Sequence, residues 1–191
     1  MNLILASASP RRKELLGLFR IPFEVRVADI DETMDLTRDP AREVARVSSL
    51  KAMATPRTSE DVVVAADTIV VCEGRVLGKP HSAEEAVSML RLLSGRGHQV
   101  MTGVTVAIGE KVRTFTEVTD LHFRPLSEKE IRVYVATGEP MDKAGSYGIQ
   151  GGAALFCTHM VGDYYNVMGL PVCRLGQLLR EMTPELMGDM L

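Results

Sequence analysis

Arg11, Arg12, Lys51, Lys79 and Lys143 are cations placed at helix starts, loop ends or an inward helix face, breaking the apolar pattern around them. Glu32 and Asp67 are acids that could hold a metal or activate water. Together they suit a polyphosphate substrate. The densest stretch is Ser7-Ala8-Ser9-Pro10-Arg11-Arg12. Proline favours the first helical position and Ser9 is a good N-cap, so both arginines stand at a helix end that already carries partial positive charge. Either they point into water, or an anion lies among the free N–H groups, the Ser7 and Ser9 hydroxyls and the two guanidinium groups.

Positioning these residues falls to the elements between them. The hexapeptide joins an apolar strand, Leu3 to Ala6, to a helix expected from Pro10 to about Phe19. Alternation predicts a strand over Phe23 to Val27. After an acidic connection with Asp29, Asp31, Glu32 and Asp35, Asp39-Pro40 opens a second helix. Val44, Val47 and Leu50 mark its inward stripe, and Lys51 projects from much the same face. That lysine either snorkels at the edge or reaches an anion. Val62 to Val71 is the strongest strand signal, and its continuous hydrophobicity predicts burial on both faces. Asp67 interrupts it. An unpaired buried carboxylate is costly, so Asp67 is expected at a strand end or break, facing cations, metal or water, unless it only caps a turn. Glu73-Gly74 predicts a tight turn, after which Gly78-Lys79-Pro80 holds Lys79 between two residues that constrain the backbone.

Ser82-Ala83-Glu84-Glu85 and Ser127-Glu128-Lys129-Glu130 read as capping boxes for a third and a fourth helix. Between them lies a long antiparallel hairpin: His98 to Ile108, with Val100, Val104, Val106 and Ile108 on one face, then Gly109-Glu110 and a strand from Lys111 to Phe123. Met141 to Gly152 is a glycine-rich loop in which Lys143 and Gln150 offer a charge and a two-way amide, and an apolar strand is expected from Ala153 to Cys157. Asp163-Tyr164-Tyr165-Asn166 reads as loop, Val172 to about Met182 as the last helix, and the tail after Thr183-Pro184 as frayed.

The chain has 191 residues, 46% of them apolar and 25% charged, which is ordinary for a globular protein with a proper core. A net charge of −3 argues against a nonspecific nucleic-acid binder. No apolar run is long enough to span a membrane, and Met1-Asn2-Leu3-Ile4-Leu5 lacks the layout of a signal peptide, so a cytoplasmic protein is expected. Cys72, Cys157 and Cys173 have no metal-ligand spacing and suit reduced, mostly buried thiols. The four histidines read as structural or surface groups. Phosphate-binding Walker and dinucleotide glycine patterns are absent, as is a Gly-x-Ser-x-Gly nucleophile elbow. Without repeats or linkers, residues 1–191 read as one domain.

Several blocks carry a resemblance in order along nearly the whole chain. They are Leu5-Ala6-Ser7-Ala8-Ser9-Pro10-Arg11-Arg12, Ala66-Asp67-Thr68-Ile69-Val70, Leu77-Gly78-Lys79-Pro80, Leu93-Ser94-Gly95 with His98, and Asp142 to Gly151. Gly162-Asp163-Tyr164-Tyr165-Asn166-Val167 and Gly169-Leu170-Pro171 extend them. The sequence resembles the Maf family. That resemblance implies a nucleoside triphosphate pyrophosphatase with an elongated α/β fold, a mixed sheet flanked by helices, related to the inosine triphosphatase type. It also implies a central cleft between two lobes, dependence on Mg²⁺ or Mn²⁺, and a homodimer. Tyr147-Gly148-Ile149-Gln150-Gly151 is similar to the branch acting on dTTP and UTP rather than on 7-methyl-GTP. By resemblance Asp67 matches the proton acceptor, Arg11, Thr68 and Gln150 match positions of substrate choice, and Arg12 is the more general phosphate ligand. Lys51, Lys79, Lys143 and Glu32 match polar cleft positions, with Glu32 and Asp67 as the expected metal pair. Clearance of modified nucleotides and regulation of septum formation are further roles linked to the family.

Overall fold

The computed structural model describes residues 1–188. Along the chain run β1 (Leu3–Leu5), α1 (Pro10–Gly17), β2 (Phe23–Val25), α2 (Pro40–Ala54), β3 (Val62–Cys72), β4 (Arg75–Leu77), α3 (Ala83–Leu93), β5 (Gly97–Ile108) and β6 (Lys111–Phe123). There follow α4 (Glu128–Ala136), three short 3-10 turns (Glu139–Asp142, Ala144–Ser146, Gly152–Leu155), β7 (Cys157–Val161), α5 (Tyr164–Met168), α6 (Val172–Met182) and α7 (Pro184–Met187). The seven strands form one sheet in the order β2-β1-β3-β5-β6-β7, with β4 paired to β3. β1 is parallel to both β2 and β3, in register Leu3 with Phe23 and Leu3 with Val62, whereas β4 and β7 pair antiparallel with their neighbours. The result is the mixed α/β sheet flanked by helices that the resemblance implies.

The described residues fall into two compact units: Met1–Asp67, Thr102–Glu117 and Gly169 onward in the first, Thr68–Met101 and Val118–Met168 in the second. In the first unit Ile4, Ala6, Ala52, Val63, Ala65 and Ala107 make a buried cluster of small and branched side chains. The small ones let α2 lie close on the sheet. Gly103 is where this is tightest, since a Cβ there would collide with the Val44 and Ala45 backbone. Ser48 Oγ and Thr105 Oγ1 share a hydrogen bond of 2.8 Å under the helix, so both buried hydroxyls are satisfied. Asp39 caps α2 through the N–H groups of Ala41 and Arg42.

In the second unit Glu73 and Gly74 both have positive φ, 50° and 75°, the mirror-image turn that suits the twist of a two-residue hairpin. Ser127 and Glu130 form a complete capping box on α4. At α3 only half of the expected box exists: Ser82 accepts from the Glu85 N–H, but the Glu85 carboxylate is taken by the His81 N–H. His98, Phe123, Tyr147, Phe156 and Tyr134 stack edge to face in a continuous aromatic core.

Other expectations need correction as well: Leu50, placed on the inward stripe of α2 beside Val44 and Val47, is 41% exposed. Ala153 to Cys157 is no strand, because Gly152–Leu155 closes a 3-10 turn and the strand begins at Cys157. Residues 163–166 are not merely loop: α5 starts at Tyr164 and buries Asn166, whose Nδ2 donates to Val100 O and Thr119 Oγ1. β5 is buried on both faces along most of its length, not on one. The tail after Pro184 forms α7 and buries Met187, while residues 189–191 of that expectation lie outside the described part. Of the cysteines only Cys72 is buried; Cys157 is half-buried and Cys173 exposed.

Candidate active site

Lys51 lies one turn beyond Val47 on α2, and only 12% of its side chain is exposed. Nζ stands 2.7 Å from Asp67 Oδ1 and 2.8 Å from Glu32 Oε2. Asp67 was expected at a strand end or break, facing cations, metal or water; it lies inside the continuous β3 with 14% of its side chain exposed, and it does face a cation. Lys51 makes that position possible, because its positive charge offsets the hydration that a covered carboxylate loses. Of the two readings of Lys51, the one in which it reaches an anion describes the geometry, and the anion is a pair of carboxylates.

Arg12 and Ser7 extend this group. Arg12 Nε donates to Gly169 O at 2.9 Å, and Nη1 donates to Ser7 Oγ at 3.2 Å. Burial pushes the Arg12 pKa down and Asp67 opposes it, with smaller contributions from Arg11 (down) and Glu32 (up). The guanidinium therefore feels both acids while remaining charged. Ser7 is buried and its Oγ also accepts from Ser9 N–H at 3.3 Å. Ser9 caps α1 by accepting from Arg12 N–H, and no acidic residue stands in that helix's first turn. Arg11 is half-buried next to it. The first unit thus brings together Ser7, Arg12, Glu32, Lys51 and Asp67.

The other predicted residues belong to the second unit. Thr68 follows Asp67 directly in β3 and is half-buried. Lys79 is exposed and makes no hydrogen bond or ion pair among the described residues. Its segment is tied to the glycine-rich loop, since Gly145 N–H donates to Gly78 O at 3.0 Å and a Cβ on Gly145 would strike Val70. Lys143 Nζ donates to Glu139 O and to Asp142 Oδ1, both at 2.7 Å, which leaves its third proton for a ligand. Gln150 is exposed, with its amide unpaired among the described residues.

Residues 2–182 match the Maf-like protein family. The chain belongs to the Maf family. A dTTP/UTP pyrophosphatase of Bacillus cytotoxicus (strain DSM 22905 / CIP 110041 / 391-98 / NVH 391-98) is 52% identical over 179 residues, covering 93% of this chain and 94% of the relative. One of Bacillus cereus (strain B4264) is 49% identical over 181 residues, covering 94% of this chain and 95% of the relative. Among solved structures, a HAM1 protein from Coxiella burnetii aligns with a TM-score of 0.51 over 95% of this chain and 99% of that one. At 15% identity that likeness concerns the fold alone.

In this Maf chain the two carboxylates pass a simple fit test for a divalent ion. Glu32 and Asp67 direct one oxygen each to a single cationic nitrogen, so they converge on one point. Two carboxylates completed by water and phosphate oxygens are the way Mg²⁺ is commonly held. No group of three or more His, Cys, Asp or Glu side chains that could hold a metal occurs among the described residues, so a cage made of such side chains is not the arrangement. Sequence reasoning missed Tyr134 and Glu139, which brace the Maf glycine-rich loop, and the Gly169 carbonyl that aims Arg12. Tyr134 was legible only as an apolar member of the α4 stripe, and a backbone carbonyl 157 positions from its partner has no sequence signal. His98 is structural: its Nε2 pairs with the Tyr147 hydroxyl at 2.9 Å, and burial pushes its pKa down to about 4.

Proposed function

We propose that this Maf chain hydrolyses dTTP and UTP to the monophosphate and pyrophosphate. The observation that carries the reading is the convergence of Asp67, Lys51, Glu32 and Arg12 in a chain about half identical to dTTP/UTP pyrophosphatases. Asp67 orients a water molecule and takes its proton as the water oxygen bonds to phosphorus and the α–β bridging bond breaks. The bridging oxygen leaves with pyrophosphate, and the charge gathering there is met by Arg12, Lys79 and Lys143. Ser7 and Ser9 complete the phosphate mouth at the start of α1. Gln150, Thr68 and Arg11 choose the base, since an amide left unpaired by the wrong ring rejects it.

Glu32 and Asp67 hold Mg²⁺ or Mn²⁺, which supplies polarisation of phosphate oxygens when bound. Lys51 balances the same carboxylates in its absence. The protein works in the cytoplasm as a homodimer, without nucleic-acid or membrane partners. Three free cysteines suit a reducing compartment, and no helix among the described residues is long and apolar enough to cross a membrane. The dimer rests on the family resemblance, and sedimentation of the pure protein checks it.

The deciding experiment incubates the protein with Mg²⁺ or Mn²⁺ and a panel of triphosphates, and identifies the phosphate released. Pyrophosphate from dTTP and UTP is expected. Orthophosphate removes α–β cleavage, preference for 7-methyl-GTP moves the chain to the sibling branch, and tight binding without product makes it a nucleotide-binding regulator.

A further inference from the structure

Gln150 sits at the crest of a small arch whose two feet are held by one pair of side chains. Tyr134, buried on α4, accepts a hydrogen bond from Gly148 N–H at 3.0 Å and donates its own proton to Glu139 Oε1 at 2.7 Å. The other oxygen of that carboxylate, Glu139 Oε2, accepts from Gly152 N–H at 3.1 Å. Between the feet, Gly151 N–H donates to Gly148 O at 3.0 Å and closes the turn, so Gln150 projects outward. Lys143 adds a tie to the Glu139 carbonyl.

The glycines are what let the arch rest on the carboxylate. A Cβ at Gly148 would lie 2.9 Å from Glu139 Oε1 and 2.8 Å from the Lys143 stem, one at Gly152 would lie 3.2 Å from the Tyr134 ring, and one at Gly151 would overlap the Glu139 carboxylate. Three backbone positions in five are therefore committed to one support. The Tyr134 hydroxyl is kept protonated by burial, so it serves as donor and acceptor at once. Nothing about the fold of α4 requires this: Ile131 and Val135 bury the same helix face without a hydroxyl.

We infer that Tyr134 and Glu139 form a latch that positions Gln150 and thereby sets the base preference of the enzyme. This rests on the reading of Gln150 as a base-selecting residue. Tyr134 and Glu139 are positioning residues: both act on the substrate only through the arch. Tyr134→Phe keeps the ring and removes one hydroxyl, freeing Gly148 N–H and one Glu139 oxygen. Displacing a selecting group by a fraction of its reach loosens discrimination more than it slows the common chemistry.

The test measures kcat/KM for dTTP and GTP in the wild type, Tyr134→Phe, Glu139→Gln, Glu139→Ala, Gln150→Ala and the Tyr134→Phe/Gln150→Ala double variant. The expected result is a dTTP-to-GTP ratio that falls by about tenfold to a hundredfold in Tyr134→Phe and Glu139→Ala, with Glu139→Gln retaining most of it. In the Gln150→Ala background Tyr134→Phe should change the ratio no further, because the two act on one device. Faster amide exchange at Gly148 and Gly152 in Tyr134→Phe reads the tether itself, whatever reaction the protein runs. A ratio that drops in Gln150→Ala but stays put in Tyr134→Phe and Glu139→Ala overturns the latch alone. A ratio unmoved by Gln150→Ala removes Gln150 from base selection and the latch's purpose with it. Equal losses on both nucleotides reduce Tyr134 to a packing residue. If Tyr134→Phe does not fold, the two Glu139 variants, at a half-buried position, carry the same comparison.

Discussion

Asp67 is a carboxylate in the interior of a buried strand, and everything around it answers that placement. Lys51 reaches it across 2.7 Å with both side chains mostly covered, so neither charge can be removed alone at no cost. Lys51→Met should lower unfolding free energy by about 2 kcal/mol in urea titration, because Asp67 is left facing a methyl group. Asp67→Asn should fold normally and lose all measurable turnover of dTTP; an undiminished rate would strip Asp67 of the role of base. At this scale the sequence was partly readable. The wrong-looking cation on the α2 stripe and the wrong-looking acid in the β3 run were both visible as exceptions, and two exceptions of opposite sign turn out to be each other's explanation. What could not be read was that the acid stays within the strand, because its partner is sixteen positions away on another element.

The elements were legible where a local rule fixes them. Asp39-Pro40, Ser127 to Glu130 and the apolar stripe of Val172 to Met182 each give the observed helix, since caps and periodicity act within a few residues. They were illegible where a distant contact decides. α5 forms because Asn166 is claimed by Val100 and Thr119, and β5 is buried on both faces because its Gly103 receives the α2 backbone. Gly103→Ala should accordingly cost about 1–3 kcal/mol by chemical denaturation, since the obstacle is backbone and cannot rotate away. Ser127→Ala, which removes the hydroxyl end of a full capping box, should cost about 1 kcal/mol by the same measurement.

For the molecule as a whole, acid is the informative perturbation. His98 is buried against Tyr147 and Phe123, and its pKa falls from 6.5 to about 4. The unfolded chain therefore binds a proton at His98 in a range where the native chain does not. Stability from this group is complete above about pH 6.5 and drains away as pH drops toward 4, by a few kcal/mol in total. Glu130, held down to about 2 by Arg124 and the Ser127 cap, adds a loss that begins below its usual value of 4.5 and continues toward 2. Thermal melts across pH 7 to 4 should show a falling Tm, and His98→Gln should flatten that slope relative to wild type even if its Tm at pH 7 is lower.

The hydrogen bond from Arg12 to the Gly169 carbonyl joins the first helix to a residue 157 positions later. During synthesis the chain emerges from its N-terminus, so Asp67, Lys51 and Glu32 leave the ribosome long before residue 169 does. Until residue 169 is available the guanidinium lacks the carbonyl that aims it. The Arg12–Gly169 bond forms only once residue 169 has been made. A ribosome-bound chain stalled at residue 160 should therefore be inert toward triphosphates, and one long enough to expose residue 169 is the first in which Arg12 can reach its carbonyl.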